Sequence, residues 1–282
     1  GKRTNTILQS AFFSLAKVMP SEEAIGYMKA AAQASYAKKG QDVVEMNWKC
    51  IEAASAAIEK VDYPSAPAGK LKMPATVAAE APDFIKNVTA KMIAQKGNEL
   101  PVSAIPDDGT WPTATTQWEK RNVAAFIPSW DPSACIQCGQ CSIICPHAAI
   151  RLKVYDADKL EGAPETFKSA DAKTPKMKAL GGKVTVQVAP EDCMGCELCV
   201  VKCPMAAKGA LKMVEQIPLR KTEAANWKFF LDIPDVDPAK LDTKQLLDSQ
   251  LKRPLFEFSG ACAGCGETPY VKLLTQICGD RL

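Results

Sequence analysis

Closely spaced cysteines are the residues of this sequence best suited to chemistry. One run has the form C-x2-C-x2-C-x3-C-P, and a second run repeats the same spacing further along the chain. The first run is Cys135, Cys138, Cys141, Cys145 and Pro146, and the second is Cys193, Cys196, Cys199, Cys203 and Pro204. Three cysteines at such spacing let one loop curl around three corners of an iron–sulfur cube. The doubled run therefore predicts redox-active iron–sulfur sites.

The fourth cysteine of each run is expected to cross over to the other site. This arrangement is typical of bacterial two-cluster ferredoxins, whose runs have this spacing. We predict a first [4Fe-4S] cluster on Cys135, Cys138, Cys141 and Cys203, and a second on Cys193, Cys196, Cys199 and Cys145. Gly139 and Gly195 are expected to allow the main chain to approach the clusters closely.

Zinc and disulfides are the alternatives for these eight thiols, and both fit less well. Zinc takes paired ligands around a tetrahedron, which three cysteines at this spacing match poorly. Disulfides belong to oxidising compartments, whereas residues 1–6 lack the layout of a secretory signal.

A third cysteine pair, Cys262 and Cys265, lies in a glycine-rich segment near the end of the sequence. Its spacing alone leaves three readings open: a redox pair, half of a zinc site, or half of a cluster site. Thr268 and Pro269 predict the cap and first residue of a helix that runs to about residue 277. The positive end of this helix would face whatever Cys265 and Glu267 hold, and a diphosphate or a cluster would suit that place.

Several other residues that could do chemistry are expected to be structural. Cys50 is predicted to be a small buried side chain and Cys278 a structural cysteine, while His147 is predicted to be a surface residue beside a cluster. The triplet Glu119, Lys120 and Arg121 reads as a solvated or inter-domain charged patch. The five tryptophans are too scattered for a nucleic-acid stacking platform and are expected to pack.

Composition narrows the class of protein. The chain has 282 residues, of which 47% are hydrophobic and 24% charged, as in globular proteins. The formal net charge of +3 gives no argument for a nucleic-acid or membrane partner, and no apolar run is long enough to span a bilayer. We therefore expect a soluble, cytoplasmic protein. Because the sequence starts at Gly1 without methionine, we interpret it as an excerpt of a longer chain.

The elements that must position these cysteines follow from periodicity and turn residues. Helical spacing predicts three helices before about residue 60, and the run 64–69 reads as a linker. A further helix is expected from Pro82 to Gly97, followed by an irregular stretch rich in turn formers. Residues 131–214 contain the repeated pattern and so predict two similar halves packed together. Residues 216–255 show little periodicity and predict a long connector over neighbouring surface.

Four features together make the chain resemble a known family. They are residues 5–13, the Glu119–Lys120–Arg121 triplet, the two cysteine runs, and the segment 256–270. The chain resembles the middle of a pyruvate:ferredoxin (flavodoxin) oxidoreductase of the single-chain, homodimeric kind. The resemblance implies an α+β multidomain fold with the following parts: the C-terminal helices of a Rossmann-like domain (1–66), a small α/β domain with the Glu-Lys-Arg signature (67–127), a ferredoxin-like domain with two [4Fe-4S] clusters (128–215), a connector (216–255) and the start of a thiamine-diphosphate domain (256–282).

The resemblance also implies roles for the third cysteine pair. Cys262 and Cys265 would be two ligands of a third, proximal [4Fe-4S] cluster whose other ligands lie beyond Leu282, and Glu267 would contact thiamine diphosphate. The Gly-Asp-Gly motif that binds Mg²⁺ and diphosphate in thiamine enzymes is missing from this stretch, as is the glutamate that activates the cofactor. No catalytic residue is therefore expected within it.

The implied function is electron transfer within an enzyme. In the family, pyruvate is oxidatively decarboxylated to acetyl-CoA and carbon dioxide with coenzyme A, and electrons leave singly through [4Fe-4S] clusters to ferredoxin or flavodoxin. Two alternatives stay open: a freestanding polyferredoxin-type carrier, and a related oxidoreductase that acts on another 2-oxo acid. The segment 256–270 favours the enzyme, because a plain carrier has no need of a Cys-x2-Cys-Gly-Glu turn after a long connector.

Overall fold

The computed structural model describes residues 4–66, 69–70 and 73–282. Residues 67 and 68, which belong to the predicted linker, lie outside the described residues. The chain divides into two compact units, residues 1–72 and residues 73–282.

The first unit is helical, as its periodicity predicts. It consists of α1 (Asn5–Ala16), α2 (Ser21–Tyr36) and α3 (Gln41–Ala56). Met28 and Ala32 of α2 pack with Ile51 of α3 in a small core. The Ser10 hydroxyl of α1 donates a 2.7 Å hydrogen bond to the Ile51 carbonyl. Cys50 is only half-buried on α3, whereas the sequence predicted a small buried side chain.

The second unit begins with the helix expected after Pro82. A π-helical segment, Ile85–Thr89, continues into α4 (Ala90–Ile93), which ends before the predicted stop at Gly97. Residues 94–125 then run mostly in turns and short 3₁₀ segments, among them Thr116–Trp118. This agrees with the turn-forming residues of this stretch.

Two small antiparallel sheets frame the cysteine runs. One pairs β1 (Phe126–Trp130) with β5 (Leu211–Glu215), and the other has the order β2 (Ile150–Tyr155), β4 (Lys183–Val188), β3 (Ala170–Asp171). The first cysteine run lies between β1 and β2 and contains α5 (Gln140–Ile144). The second lies between β4 and β5 and contains α7 (Leu198–Val201), while α6 (Pro175–Ala179) precedes β4. The duplicated strand–loop–helix–strand order is what the sequence repeat predicts.

The main core lies against β2, all six residues of which are buried. Leu152 and Val154 pack with Val184 and Val186 of β4, and with Trp227 and Phe230. The last two belong to α8 (Gln216–Asp232), a helix of 17 residues inside the predicted connector. The segment is therefore part of the core, because its aromatic residues supply apolar surface that the low periodicity of its sequence conceals.

Two helices complete the unit beside the first cysteine run. The helices are α9 (Leu246–Leu251) and α10 (Thr268–Cys278), and both contact α5. Pro269 lies in the first turn of α10, as expected, whereas the N-cap position belongs to Glu267 and Thr268 is already helical. Within the described part of the chain, no helix combines the length and apolarity needed to cross a membrane.

Candidate iron–sulfur centres

The two cysteine loops share one backbone conformation. Gln137 and Gly139 have φ values of 60° and 76°, and the equivalent Gly195 and Glu197 have values of 66° and 65°. The amide of Gln137 donates to Cys135 Sγ at 3.3 Å, and the amide of Gly195 donates to Cys193 Sγ at 3.5 Å. Both loops thus turn their amides towards sulfur at equivalent positions. The sequence pointed to this left-handed geometry only where the residue is glycine.

The first cavity is surrounded by the four thiols of the predicted first cluster. It has a volume of about 370 Å³, including its opening to solvent, and its cysteines are Cys135, Cys138, Cys141 and Cys203. Trp130, Val186 and Leu211 supply apolar walls. Cys203 therefore leaves its own loop and joins the opposite one, as crossed ligation requires.

The second cavity is the counterpart of the first. It has a volume of about 380 Å³, and its cysteines are Cys145, Cys193, Cys196 and Cys199. A Cβ at Gly195 would lie 3.3 Å from the Phe126 carbonyl, so the strand passes close to the loop as expected for a glycine there. Among the described residues, no three His, Cys, Asp or Glu side chains gather tightly enough to hold one metal ion; the thiols of each set stand around a cavity instead.

Burial strongly disfavours the free thiolate form of these cysteines. Desolvation, together with the neighbouring thiols Cys135, Cys138 and Cys203, raises the pKa of Cys141 to about 12. Burial likewise raises the pKa of Cys193 to about 12, against the effect of the Gly195 amide. Burial raises the pKa of Cys199 in the same way, and the neighbouring thiol Cys145 adds to the rise.

These properties fit an iron–sulfur cube as the resident group. A buried thiol with a raised pKa loses its proton readily only when a cationic centre replaces that proton. Each cavity offers four sulfur ligands, apolar walls and main-chain amides directed at sulfur. That these cysteines bind clusters stays a prediction. The number of sulfur ligands, the apolar walls and the direction of the amides all fit a [4Fe-4S] cluster.

The third cysteine pair lies beside the second set. The amide of Cys265 donates to the Cys262 carbonyl at 3.0 Å, which closes a tight turn. A Cβ at Gly264, whose φ is +76°, would lie 3.8 Å from Cys196 Cβ. Backbone N–H groups of Thr268 and Glu267 donate to Cys265 and hold its pKa below its ordinary value. The start of α10 therefore faces Cys265, as the sequence predicts.

His147 is buried rather than on the surface, so that prediction is wrong. Its side chain fills the space between the second cysteine set and the segment that leads to Cys262. Nε2 lies 3.3 Å from the Cys262 carbonyl, and Nδ1 lies 3.4 Å from the Ser259 hydroxyl. Burial lowers the pKa of the imidazole. The carbonyl of His147 also accepts from the Phe258 amide at 2.9 Å, and these contacts draw the histidine inward.

The charged triplet, predicted as a solvated or inter-domain patch, is exposed at Lys120 and Arg121 and also forms ion pairs and contacts with other segments. Lys120 forms a 2.6 Å ion pair with Asp192, and its ammonium lies 5.4 Å from the centre of the Phe258 ring. Arg121 pairs with Glu119 at 3.3 Å, and its Nη1 lies 3.5 Å from the Ser259 carbonyl. The triplet therefore joins the segment before Cys193 to the segment before Cys262.

Several further charged residues near the site were not predicted from the sequence. Arg151 of β2 forms a buried ion pair with Glu257, and its guanidinium lies 5.1 Å from the Trp227 ring centre. Lys272 of α10 is buried and bonds to main-chain carbonyls of the first cysteine run. For Arg151 and Lys153, the one usable feature of the sequence is their alternation with apolar residues in β2, which is compatible with charged residues on a buried strand. Nothing in the sequence around Lys272 indicates that it is buried.

Two family models match this chain. Residues 134–207 match the 4Fe-4S dicluster domain, and this stretch includes both cysteine runs. Residues 70–124 match a domain of unknown function named EKR, and this stretch includes the triplet Glu119–Lys120–Arg121.

Curated relatives match the chain along its whole length. It is 48% identical to the pyruvate-flavodoxin oxidoreductase of a Nostoc species, over 100% of the chain and 24% of the relative. It is 47% identical to that of Trichormus variabilis, over 99% of the chain and 24% of the relative. It is 45% identical to the pyruvate:ferredoxin oxidoreductase of Moorella thermoacetica, over 100% of the chain and 24% of the relative. The chain is thus homologous to one segment, about a quarter of the length, of the pyruvate-flavodoxin and pyruvate:ferredoxin oxidoreductases.

Proposed function

We propose that this chain is the electron-transfer part of a pyruvate:ferredoxin or pyruvate-flavodoxin oxidoreductase. The observation that carries the proposal is the pair of cavities, each surrounded by three cysteines of one run and the fourth cysteine of the other. When bound there, [4Fe-4S] clusters would supply one-electron steps, which a two-electron organic oxidation needs in order to reach a one-electron acceptor.

The residues of this chain would hold and shield the clusters. Cys135, Cys138, Cys141 and Cys203 would hold the first, and Cys193, Cys196, Cys199 and Cys145 the second. Trp130 and Leu211 are buried beside the first cavity and exclude water from one side of it. Because burial and nearby hydrogen bonds set cluster potentials, the amides of Gln137 and Gly195 would tune them through Cys135 and Cys193.

Cys262, Cys265 and Glu267 would belong to a neighbouring site completed by other parts of the protein. We assign Cys262 and Cys265 to a third [4Fe-4S] cluster and Glu267 to contact with thiamine diphosphate, whose Mg²⁺ would be held elsewhere. The packing of Gly264 against Cys196 supports this assignment, since it brings the third pair next to the second set. A freestanding carrier would have no use for such a turn, so the enzyme is favoured over a polyferredoxin.

The whole protein would convert pyruvate and coenzyme A to acetyl-CoA and carbon dioxide. Its electron acceptor would be ferredoxin or flavodoxin, and it would act as a cytoplasmic homodimer. The names of the relatives, all pyruvate oxidoreductases, support pyruvate over another 2-oxo acid.

The test is anaerobic reconstitution of this chain with iron and sulfide. We expect about eight iron ions and about eight sulfides per chain, because the doubled run would hold two four-iron cubes. Reduction with dithionite should produce the EPR signals of two interacting clusters. A chain that binds zinc without acid-labile sulfide, or that stays colourless and EPR-silent, would contradict the proposal.

A further inference from the structure

Lys272 is a buried cation whose ammonium donates hydrogen bonds to the first cysteine run. Its side chain is 1% exposed, although it belongs to a surface helix, α10. The ammonium donates to the carbonyls of Ser142, Ile143 and Cys145, and the last two bonds are 3.0 and 3.1 Å long. A lysine is rarely buried to this degree unless its charge is offset.

The three carbonyls lie in the segment that connects the two cysteine sets. They belong to the end of α5 and the turn after it, between Cys141 of the first set and Cys145 of the second. The last carbonyls of a helix lack partners within the helix and carry a partial negative charge. Lys272 donates to all three carbonyls, two of which also accept long main-chain bonds of 3.3 and 3.5 Å, from a position flanked by a ligand of each predicted cluster.

Within the part of the chain that the structure describes, no carboxylate forms an ion pair with this ammonium. Among the described side chains, the ion pairs within 4.0 Å do not include Lys272. An ammonium has three N–H donors, and the three carbonyls accept one bond each, so the positive charge lies in the segment between the two cysteine sets.

We propose that the charge of Lys272 offsets the negative charge of both thiolate-ligated clusters and raises the reduction potential of each. This inference rests on the proposed function, since it requires clusters at both sites. Reduction adds one negative charge to a cluster, and a buried cation nearby stabilises that added charge because the interior screens it weakly. Lys272 is thus a positioning residue for α5 and an electrostatic partner of both clusters.

Three substitutions separate charge from packing. Lys272→Gln keeps N–H donors for the carbonyls but removes the charge, Lys272→Met removes both, and Lys272→Arg keeps the charge. Lys228→Met, at an exposed position on α8, is the matched control for loss of one positive charge. Each variant is reconstituted anaerobically, assayed for iron and sulfide, and titrated potentiometrically with EPR detection.

We expect Lys272→Gln and Lys272→Met to shift both midpoint potentials to more negative values, with Lys272→Arg and Lys228→Met close to wild type. Loss of cluster binding in the two uncharged variants, with retention in Lys272→Arg, would also support the proposal, since arginine keeps the positive charge that glutamine and methionine lack. Unchanged potentials in a fully loaded Lys272→Gln variant, or failure of Lys272→Arg to bind clusters, would overturn it. Failure of the wild-type chain to bind iron and sulfide would instead reject the proposed function.

Discussion

The ammonium of Lys120 lies 2.6 Å from the carboxylate of Asp192, the residue directly before Cys193. The aspartate side chain is 1% exposed, whereas that of Lys120 is one-third exposed at 33%. Desolvation raises the pKa of Asp192 to about 6, and Lys120 acts against that rise. The second cysteine loop therefore follows directly after a buried carboxylate, and Lys120 favours the charged form of that carboxylate.

Substitution of Lys120 by methionine should destabilise the protein and weaken the second cluster site. Removal of one partner leaves a buried charge uncompensated, which costs about 3–5 kcal/mol in a fully buried pair. Because Lys120 is partly exposed, we expect a smaller loss of about 1–3 kcal/mol. The measurements are thermal unfolding of the reconstituted chain and the rate of iron release to a chelator.

The double variant Lys120→Met with Asp192→Asn provides the control for this ion pair. It removes the unpaired carboxylate, so it should be more stable than Lys120→Met alone. Equal stability of Lys120→Met and wild type, or strictly additive effects in the double variant, would show that the ion pair contributes nothing to the loop.

The chemistry of this chain could be predicted from its sequence more completely than its architecture could. The spacing of the cysteines fixes which thiols can share a loop, so the membership of each cavity followed from the pattern alone. Helices with regular apolar spacing, such as α2, were also predictable. In contrast, α8 has only scattered apolar residues, and its place in the core depends on Trp227 and Phe230 meeting β2 and β4, which is a long-range effect.

The polar residues around the site were unpredictable for a related reason. His147, Lys120 and Lys272 are all residues that are usually found on the surface. Each is buried or paired here because a partner distant in sequence supplies the compensating contact, such as Asp192 for Lys120. A single sequence does not show which distant segments contact each other. The expectation that His147 is exposed was therefore wrong.

Substitution of Cys145 by serine should damage the cluster of the second run and spare that of the first. Cys145 lines the cavity of Cys193, Cys196 and Cys199, although it belongs to the first run. Iron content should fall to about half of its wild-type value, with the remaining EPR signal that of the first cluster.

The reciprocal variant Cys203→Ser should spare the second cluster, and Cys50→Ser, in the helical unit, should leave both intact. Selective loss of the first cluster in Cys145→Ser would disprove the crossed arrangement.

Alkylation of the cluster-free chain should follow the order of thiol pKa values. A lower pKa gives a larger thiolate fraction at a given pH, and only the thiolate reacts appreciably. Cys265, whose pKa is lowered by the amides of Thr268 and Glu267, should react first with iodoacetamide at pH 8. Cys141 and Cys193, with pKa values of about 12, would be ionised in only about one molecule in ten thousand at that pH.

Mass spectrometry of the labelled peptides under reducing conditions gives the order directly. Raising the pH from 7 to 9 should accelerate labelling of Cys141 and Cys193 without bringing it to the rate of Cys265. Faster labelling of Cys141 than of Cys265 would contradict the burial that the structure assigns to the first set.

Substitution of His147 by leucine should loosen the turn that carries Cys262 and Cys265. The imidazole contacts the Cys262 carbonyl and the Ser259 hydroxyl, and leucine retains the volume but neither polar contact. Each hydrogen bond contributes about 0.5–1.5 kcal/mol, so the loss of both predicts roughly ten- to hundred-fold faster amide exchange in residues 259–265. Hydrogen exchange of this peptide measures the effect, with the peptide containing α2 as an internal reference.

Because the His147 carbonyl would still accept from the Phe258 amide, exchange at Phe258 should change least. An unchanged rate in residues 259–265 would show that the turn is held by its own Cys265–Cys262 hydrogen bond and by the packing of Gly264 on Cys196, without help from the imidazole.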